Sequence, residues 1–249
     1  MKHFLFLLLL TSQAAMSQTP DSVATTSIPP KSNFKFGIIS SISYATALTT
    51  MPNLRSYFRA NQIDEQEGLF NQFVHLNVGF RYKRLKLITQ SGRGVEIISF
   101  EPRDEGRVAR QIYADYMGAM LGYDVLNGRN RRLYVNVGTG TTTYKYNVYR
   151  RSEQPVDFQD LTQYSQAGNI PSLRLTNRYI DFNLELAQRE KRKRSAEVIL
   201  RLGYRRGLSP QAWRSDAFAL QGAPTDRINQ FYFQVGYNFS SNFGKAAAL

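Results

Sequence analysis

Phe231-Tyr232-Phe233-Gln234-Val235-Gly236-Tyr237-Asn238-Phe239 is the stretch whose reading decides the fold. Its odd-numbered positions are all aromatic or apolar, and the even-numbered ones from Gln230 to Asn238 are Gln, Tyr, Gln, Gly and Asn. A β-strand turns successive side chains to opposite faces, so this alternation predicts one strand with an apolar face and a polar face.

The same period recurs upstream. Val74, Leu76, Val78, Phe80 and Tyr82 alternate with His75, Asn77, Gly79 and Arg81. Ile180, Phe182, Leu184 and Leu186 alternate with Tyr179, Asp181, Asn183 and Glu185, and Ala196, Val198, Leu200, Leu202 and Tyr204 with Glu197, Ile199, Arg201, Gly203 and Arg205. A first strand presents Phe34, Phe36, Ile38, Ile42 and Tyr44 on one face, and weaker matches cover residues 85–100, 111–125 and 132–149. The expected fold is all-β, an antiparallel up-and-down transmembrane β-barrel of about eight strands. Ten strands stay open, because Ser91-Gly92-Arg93-Gly94 interrupts the third.

The connections support closure into a membrane barrel. Long ones (49–68, 101–110, 151–172, 208–228) alternate with short ones (83–84, 127–131, 188–194). Outer-membrane barrels have short periplasmic turns and long external loops, an alternation that a β-sandwich has no reason to produce. A soluble lipocalin-like barrel also alternates but turns its apolar face inward. Tyr82, Tyr123, Tyr204, Tyr237 and Phe239 are expected near strand ends, as an aromatic girdle at the lipid interface.

Met1-Lys2-His3, the apolar run 4–10 and the small residues Ala14, Ala15 and Ser17 read as a secretory signal, residues 1–17, with cleavage before Gln18. Residues 18–33, rich in Ser, Thr and Pro, read as a flexible periplasmic lead-in, 34–240 as the barrel and 241–249 as a short tail. No run of about twenty apolar residues exists to form a helical span. The chain has no cysteine, which excludes disulfides, thiol chemistry and an N-terminal lipid anchor. Removing Lys2 with the signal lowers the net charge from +13 to +12. For an exported chain the anionic partners are lipid headgroups and lipopolysaccharide, not nucleic acid.

The chain resembles the small outer-membrane β-barrel proteins of Bacteroidetes, including the family related to the PorT protein of their secretion machinery. The resemblance rests on the signal with Gln18 after the cut, on Leu76-Asn77-Val78-Gly79-Phe80-Arg81-Tyr82, and on the closing stretch 231–239, which looks like the signal read by the barrel-assembly machinery. It implies a structural barrel or an accessory of a larger envelope complex, located in the outer membrane, with no cofactor and no catalytic set to carry over. The tail after Phe239 departs from the pattern, since many such barrels end at that aromatic residue.

Candidate chemistry is sparse. His75 is the sole histidine after the signal, and a lipid-modifying enzyme would need a serine and a carboxylate beside it. No serine is expected in register with it, which leaves Ser91 or a loop serine. Asp64, Glu65 and Glu67 are ligand types for a hard cation, although a solvated acidic loop is the favoured reading. Glycines such as Gly92, Gly138 and Gly140 are expected to relieve crowding in a narrow lumen.

The expected lumenal charge network comprises His75, Arg81, Asp181, Glu185, Glu197, Arg201 and Arg205, with Glu185 opposite Arg201, Asp181 opposite Arg205 and Arg189 opposite Glu197. Such a network would fill an eight-stranded interior. A basic periplasmic rim is expected from Lys83, Arg84, Lys86, Arg129, Arg131, Arg132, Lys191, Arg192, Lys193 and Arg194, touching leaflet phosphates or an acidic periplasmic partner. Tyr57, Phe70, Phe158, Tyr164 and Trp213 are candidates for an external binding surface. A solute channel and a lipid-modifying enzyme using His75 are the alternatives to a structural role.

Overall fold

Each alternating segment forms a long strand in the computed structural model, which describes residues 34–65, 70–94, 107–150, 157–160 and 170–245. The strands are β1 (Phe34–Thr50), β2 (Phe70–Tyr82), β3 (Leu85–Gly94), β4 (Arg107–Asp124), β5 (Arg131–Arg150), β6 (Ile170–Gln188), β7 (Arg194–Gly207) and β8 (Asn229–Lys245). Each pairs antiparallel with its chain neighbour, and β1 pairs with β8, so the meander closes. Closure leaves no long edge strand with unpaired backbone groups. The count is therefore eight.

Residues 83–84, 125–130 and 189–193 make short connections at one end, here the turn end, where β1 begins and β8 finishes. At the opposite end, the loop end, the strands are separated by the longer intervals 51–69, 95–106, 151–169 and 208–228 of the sequence. The expected signal and lead-in, and the long extension of β3 beyond Gly94, fall outside the described residues.

Exposure follows the period-two reading with the apolar face outward. Leu76 is 62% exposed and Met117 69%, whereas their neighbours His75 and Tyr116 are buried. This orientation rejects a lipocalin-like arrangement. One boundary moves: β8 continues to Lys245, its residues 241–245 pairing with 34–38 of β1, so the expected tail begins later. Tyr82 and Tyr123 do lie outward at the turn end. Tyr237 and Phe239 instead sit within the apolar belt, and Phe243 takes the rim position, its ring centroid 6.1 Å from that of Phe36, which lies 6.4 Å from Phe80 on its other side.

The expected role of glycine in a narrow interior is met at two positions. A Cβ on Gly92 would lie 2.3 Å from the Tyr116 ring, and one on Gly203 would lie 2.6 Å from Tyr232. Each glycine stands directly opposite its tyrosine on the next strand, giving the ring room to lie flat across the wall. We predict that Gly203→Val lowers the urea-unfolding free energy of the detergent-solubilised protein by about 1–3 kcal/mol through overpacking. Leu202→Val on the outer face should cost less.

Candidate functional site

The lumen is the candidate site, since it collects most of the buried charge. Near the turn end, Arg132 donates to Glu190 from both Nε (2.9 Å) and Nη2 (2.5 Å) and to Asp124 from Nη1 (2.8 Å). Arg81 reaches the same Glu190 at 2.8 Å and donates to Asn242 Oδ1 at 2.9 Å. Asn242 also donates from its backbone to the Lys193 carbonyl (2.6 Å) and from its side chain to that of Arg192 (3.1 Å). The extended end of β8 thus fastens the β6–β7 turn to the floor of the barrel.

In the middle, Glu185 accepts from Lys86 Nζ at 2.5 Å through one oxygen and from Arg201 at 2.6 Å and 3.1 Å through the other. Arg201 continues to Gln234 (3.0 Å), which donates to Ser43 (2.5 Å). Lys86 lies 4.0 Å from the centroid of Tyr134. Above this layer, Arg205 donates to Asp181 at 2.9 Å, and Tyr232 donates to the same carboxylate. The Arg205 guanidinium stacks 3.7 Å from the Tyr116 centroid and 4.3 Å from that of Tyr232, where a cation loses least on leaving water.

The loop end carries an apolar cap. Helix α1 (Pro52–Ala60) buries Leu54 and Phe58 against Tyr146, Trp213 and Ile228 over the mouth. Asp226 holds the helix start, accepting from the backbone of Asn53 (2.9 Å) and Leu54 (2.8 Å) while Trp213 Nε1 donates to it at 2.8 Å. Burial raises the Glu65 carboxyl above its ordinary range against the pull of Arg55, 3.3 Å away.

Of the expected network, Arg81, Asp181, Glu185, Arg201 and Arg205 meet as layered ion pairs, with Glu185 opposite Arg201 and Asp181 opposite Arg205 in the ladder. Arg189 lies beyond the last ladder pair, Ala187 with Ile199, and donates to Asn127 (3.1 Å) and Gly128 (2.6 Å). Glu197 accepts from Ser195 and Ser240. His75 stands apart from the ion pairs, its Nε2 2.9 Å from the Tyr116 hydroxyl.

Several expectations need correction. Ser43 does stand in register with His75, but it is engaged by Gln234, and Ser91 faces outward. Lys86 and Arg132 leave the rim for the interior, because both fall on the inward phase of their strands. Lys83, Arg84, Arg129, Arg131, Lys191, Arg192, Lys193 and Arg194 are exposed at the turn end. Trp213 is buried in the cap rather than displayed. Glu67 and Tyr164 lie outside the described residues, among which no cluster of three or more His, Asp or Glu is placed to hold a metal.

The sequence reading places Lys86 at the rim and gives no role to Asp124, Glu190, Asn242 or Asp226. Inward phase on β3 was the available signal for Lys86. The others depend on how turns and loops fold back. Two predictions test these contacts. Glu185→Gln leaves Lys86 and Arg201 without a counter-ion and should cost about 3–5 kcal/mol of unfolding free energy in detergent. Asp226→Ala should open the cap to protease at loop residues while leaving the urea midpoint of the barrel within about 1 kcal/mol of its original stability.

No protein-family model matches the chain, and no curated protein matches it in sequence. Among solved structures it is similar to Ail, the attachment invasion locus protein of Yersinia pestis, at 10% identity and a TM-score of 0.42, covering 83% of this chain and 99% of that one. It is also similar to Neisserial surface protein A, at 10% identity and a TM-score of 0.40, covering 84% and 97%. The outer membrane protein OprG of Pseudomonas aeruginosa matches at 9% identity and 0.38, covering 84% and 98%. At these values the fold assignment stands on the strand register and the closure of β1 on β8.

Proposed function

We propose that this chain is an integral outer-membrane β-barrel with a filled lumen and a structural or accessory role in the cell envelope. The membrane reading is carried by the apolar belt: side chains such as Leu76, Phe182, Leu202 and Phe231 are about half exposed or more on every side of the barrel. Leaving each in water forfeits about 1.5–3 kcal/mol relative to burial, so lipid is the solvent that suits this wall. Strands of up to 20 residues exceed the roughly 9–11 needed to cross a bilayer. The surplus lies at the loop end, beneath the cap.

The observation that carries the functional reading is the inaccessibility of the lumen. Glu185, Asp181 and Gln234 are each 0% exposed, whereas a water-filled pore would leave them solvated. The lumen is spanned by side chains bonded to one another, as expected for a barrel of eight strands. His75 is a member of that packing with its Nε2 committed to Tyr116, which favours a structural part over catalysis. The turn end then faces the periplasm, with its exposed basic residues at the level of leaflet phosphates, and the loop end faces lipopolysaccharide and the exterior. The closing strand supplies the contact for the barrel-assembly machinery. A secretion-related accessory role, as the PorT-like resemblance implies, is consistent with a body that neither conducts nor catalyses.

Reconstitution in planar bilayers should give no unitary current steps; discrete, salt-dependent conductance would establish a channel instead. Lipid A from cells expressing the protein or its His75→Ala variant should have the same mass spectrum. A His75-dependent mass change would replace the structural reading with an enzymatic one.

A further inference from the structure

The cationic cleft at the turn end is a built feature rather than a set of solvated turns. It has a volume of about 530 Å³ and is lined by Asn130 and Arg131 from the β4–β5 turn and by Arg189, Lys191, Arg192 and Arg194 around the β6–β7 turn. The carboxylate in its lining, Glu197, is engaged by the hydroxyls of Ser195 and Ser240. The backbone that carries the basic residues is held in place from behind. Arg189 donates its backbone N–H to the Asn130 carbonyl (2.8 Å) and its guanidinium to the Asn127 side chain, and Asn242 ties down the carbonyls of Arg192 and Lys193. Turns that needed only to be soluble would not require this fastening. Concentrating cations on a fixed frame raises their mutual repulsion, which a bound anion relieves.

A second feature fixes the kind of anion. The cleft runs over Arg194, Ser195 and Ala196 into a groove of about 410 Å³ on the outer wall, where β7, β8 and β1 meet. Ser40, Ala196 and Ser241 line it together with Ile38 and Phe239, so small side chains lower the wall beside two large apolar ones. A charged pocket opening onto a lipid-facing groove has the form of a phospholipid, with a phosphate at one end and an acyl chain at the other. An acidic peptide would match the cleft and leave the groove unused.

We infer that this cleft and groove bind one anionic phospholipid of the periplasmic leaflet, with Arg131, Lys191 and Arg194 around the headgroup phosphate and an acyl chain between Ile38 and Phe239. The inference rests on the membrane reading above and goes beyond it. Heat-modifiable migration in detergent tests that reading separately and shows that each variant is folded.

The experiment is native mass spectrometry of the detergent-solubilised protein with equal amounts of phosphatidylglycerol and phosphatidylcholine. The expected result is one retained phosphatidylglycerol, favoured roughly tenfold or more over phosphatidylcholine. The combined Arg131→Gln, Lys191→Gln and Arg194→Gln variant should lose the preference. Ala196→Phe, which fills the groove and leaves every charge in place, should lose retention of either lipid. Equal retention of the two lipids by the original protein, or a preference that survives the triple substitution, would overturn the inference. So would displacement of phosphatidylglycerol by inorganic phosphate, or by polyglutamate with Ala196→Phe behaving as the original. Those results would identify a free-anion site and an acidic-peptide surface respectively.

Discussion

The carboxylate of Glu185 lies between the ammonium of Lys86 and the guanidinium of Arg201, and the rest of the interior is arranged around that contact. Lys86 stands on β3 and Glu185 on β6, across the lumen from one another, so the pair joins opposite walls. Removing two ions from water costs several kcal/mol each, and only near-complete pairing offsets it. The layers on either side meet the same demand: Arg132 and Arg81 share Glu190 toward the turn end, and Arg205 meets Asp181 between two aromatic rings toward the loop end. A polar interior built this way excludes bulk water while keeping its charges compensated.

That filling also governs the backbone. Tyr116 and Tyr232 can stack on Arg205 because Gly92 and Gly203 stand opposite them without side chains. Apolar packing is most extensive beyond the strands' polar layers, where α1 and Trp213 close the mouth over Tyr144 and Tyr146, and a smaller cluster of Tyr134, Ala187 and Ile199 is buried toward the turn end. The barrel is thus apolar without and largely polar within, and its larger apolar cluster lies at the cap. The sulfur-free ion-pair lattice replaces the cross-links that the absence of cysteine denies it.

Much of this was legible in the sequence wherever geometry is local. Period-two alternation identified the inward and outward residues of β2, β6, β7 and β8, and the long-short rhythm of connections identified their order. The β6–β7 register followed from charge, since the pairing of Asp181 with Arg205 also aligns Glu185 with Arg201. What escaped required knowledge of contacts across the closed barrel. Ser43 meets His75 only through the β1–β2 register, Lys86 finds Glu185 only across the lumen, and Asn242 acts only because β8 outlasts its alternating aromatic stretch. Asp226 and Trp213 belong to a long loop that shows no periodicity until α1 gives it a surface to cover.

The central claim is a wall facing lipid around an interior closed to water, and spin labelling tests both halves at once. The chain has no native cysteine, so single cysteines can be placed along β8 at Phe231, Phe233 and Tyr237 and at the inward Gln234 and Asn238. In reconstituted bilayers the outward labels should collide with oxygen and not with a water-soluble nickel chelate, and the inward labels should be protected from both. Inward labels open to the chelate would reveal a water-filled lumen, and outward labels open to it would remove the barrel from the membrane.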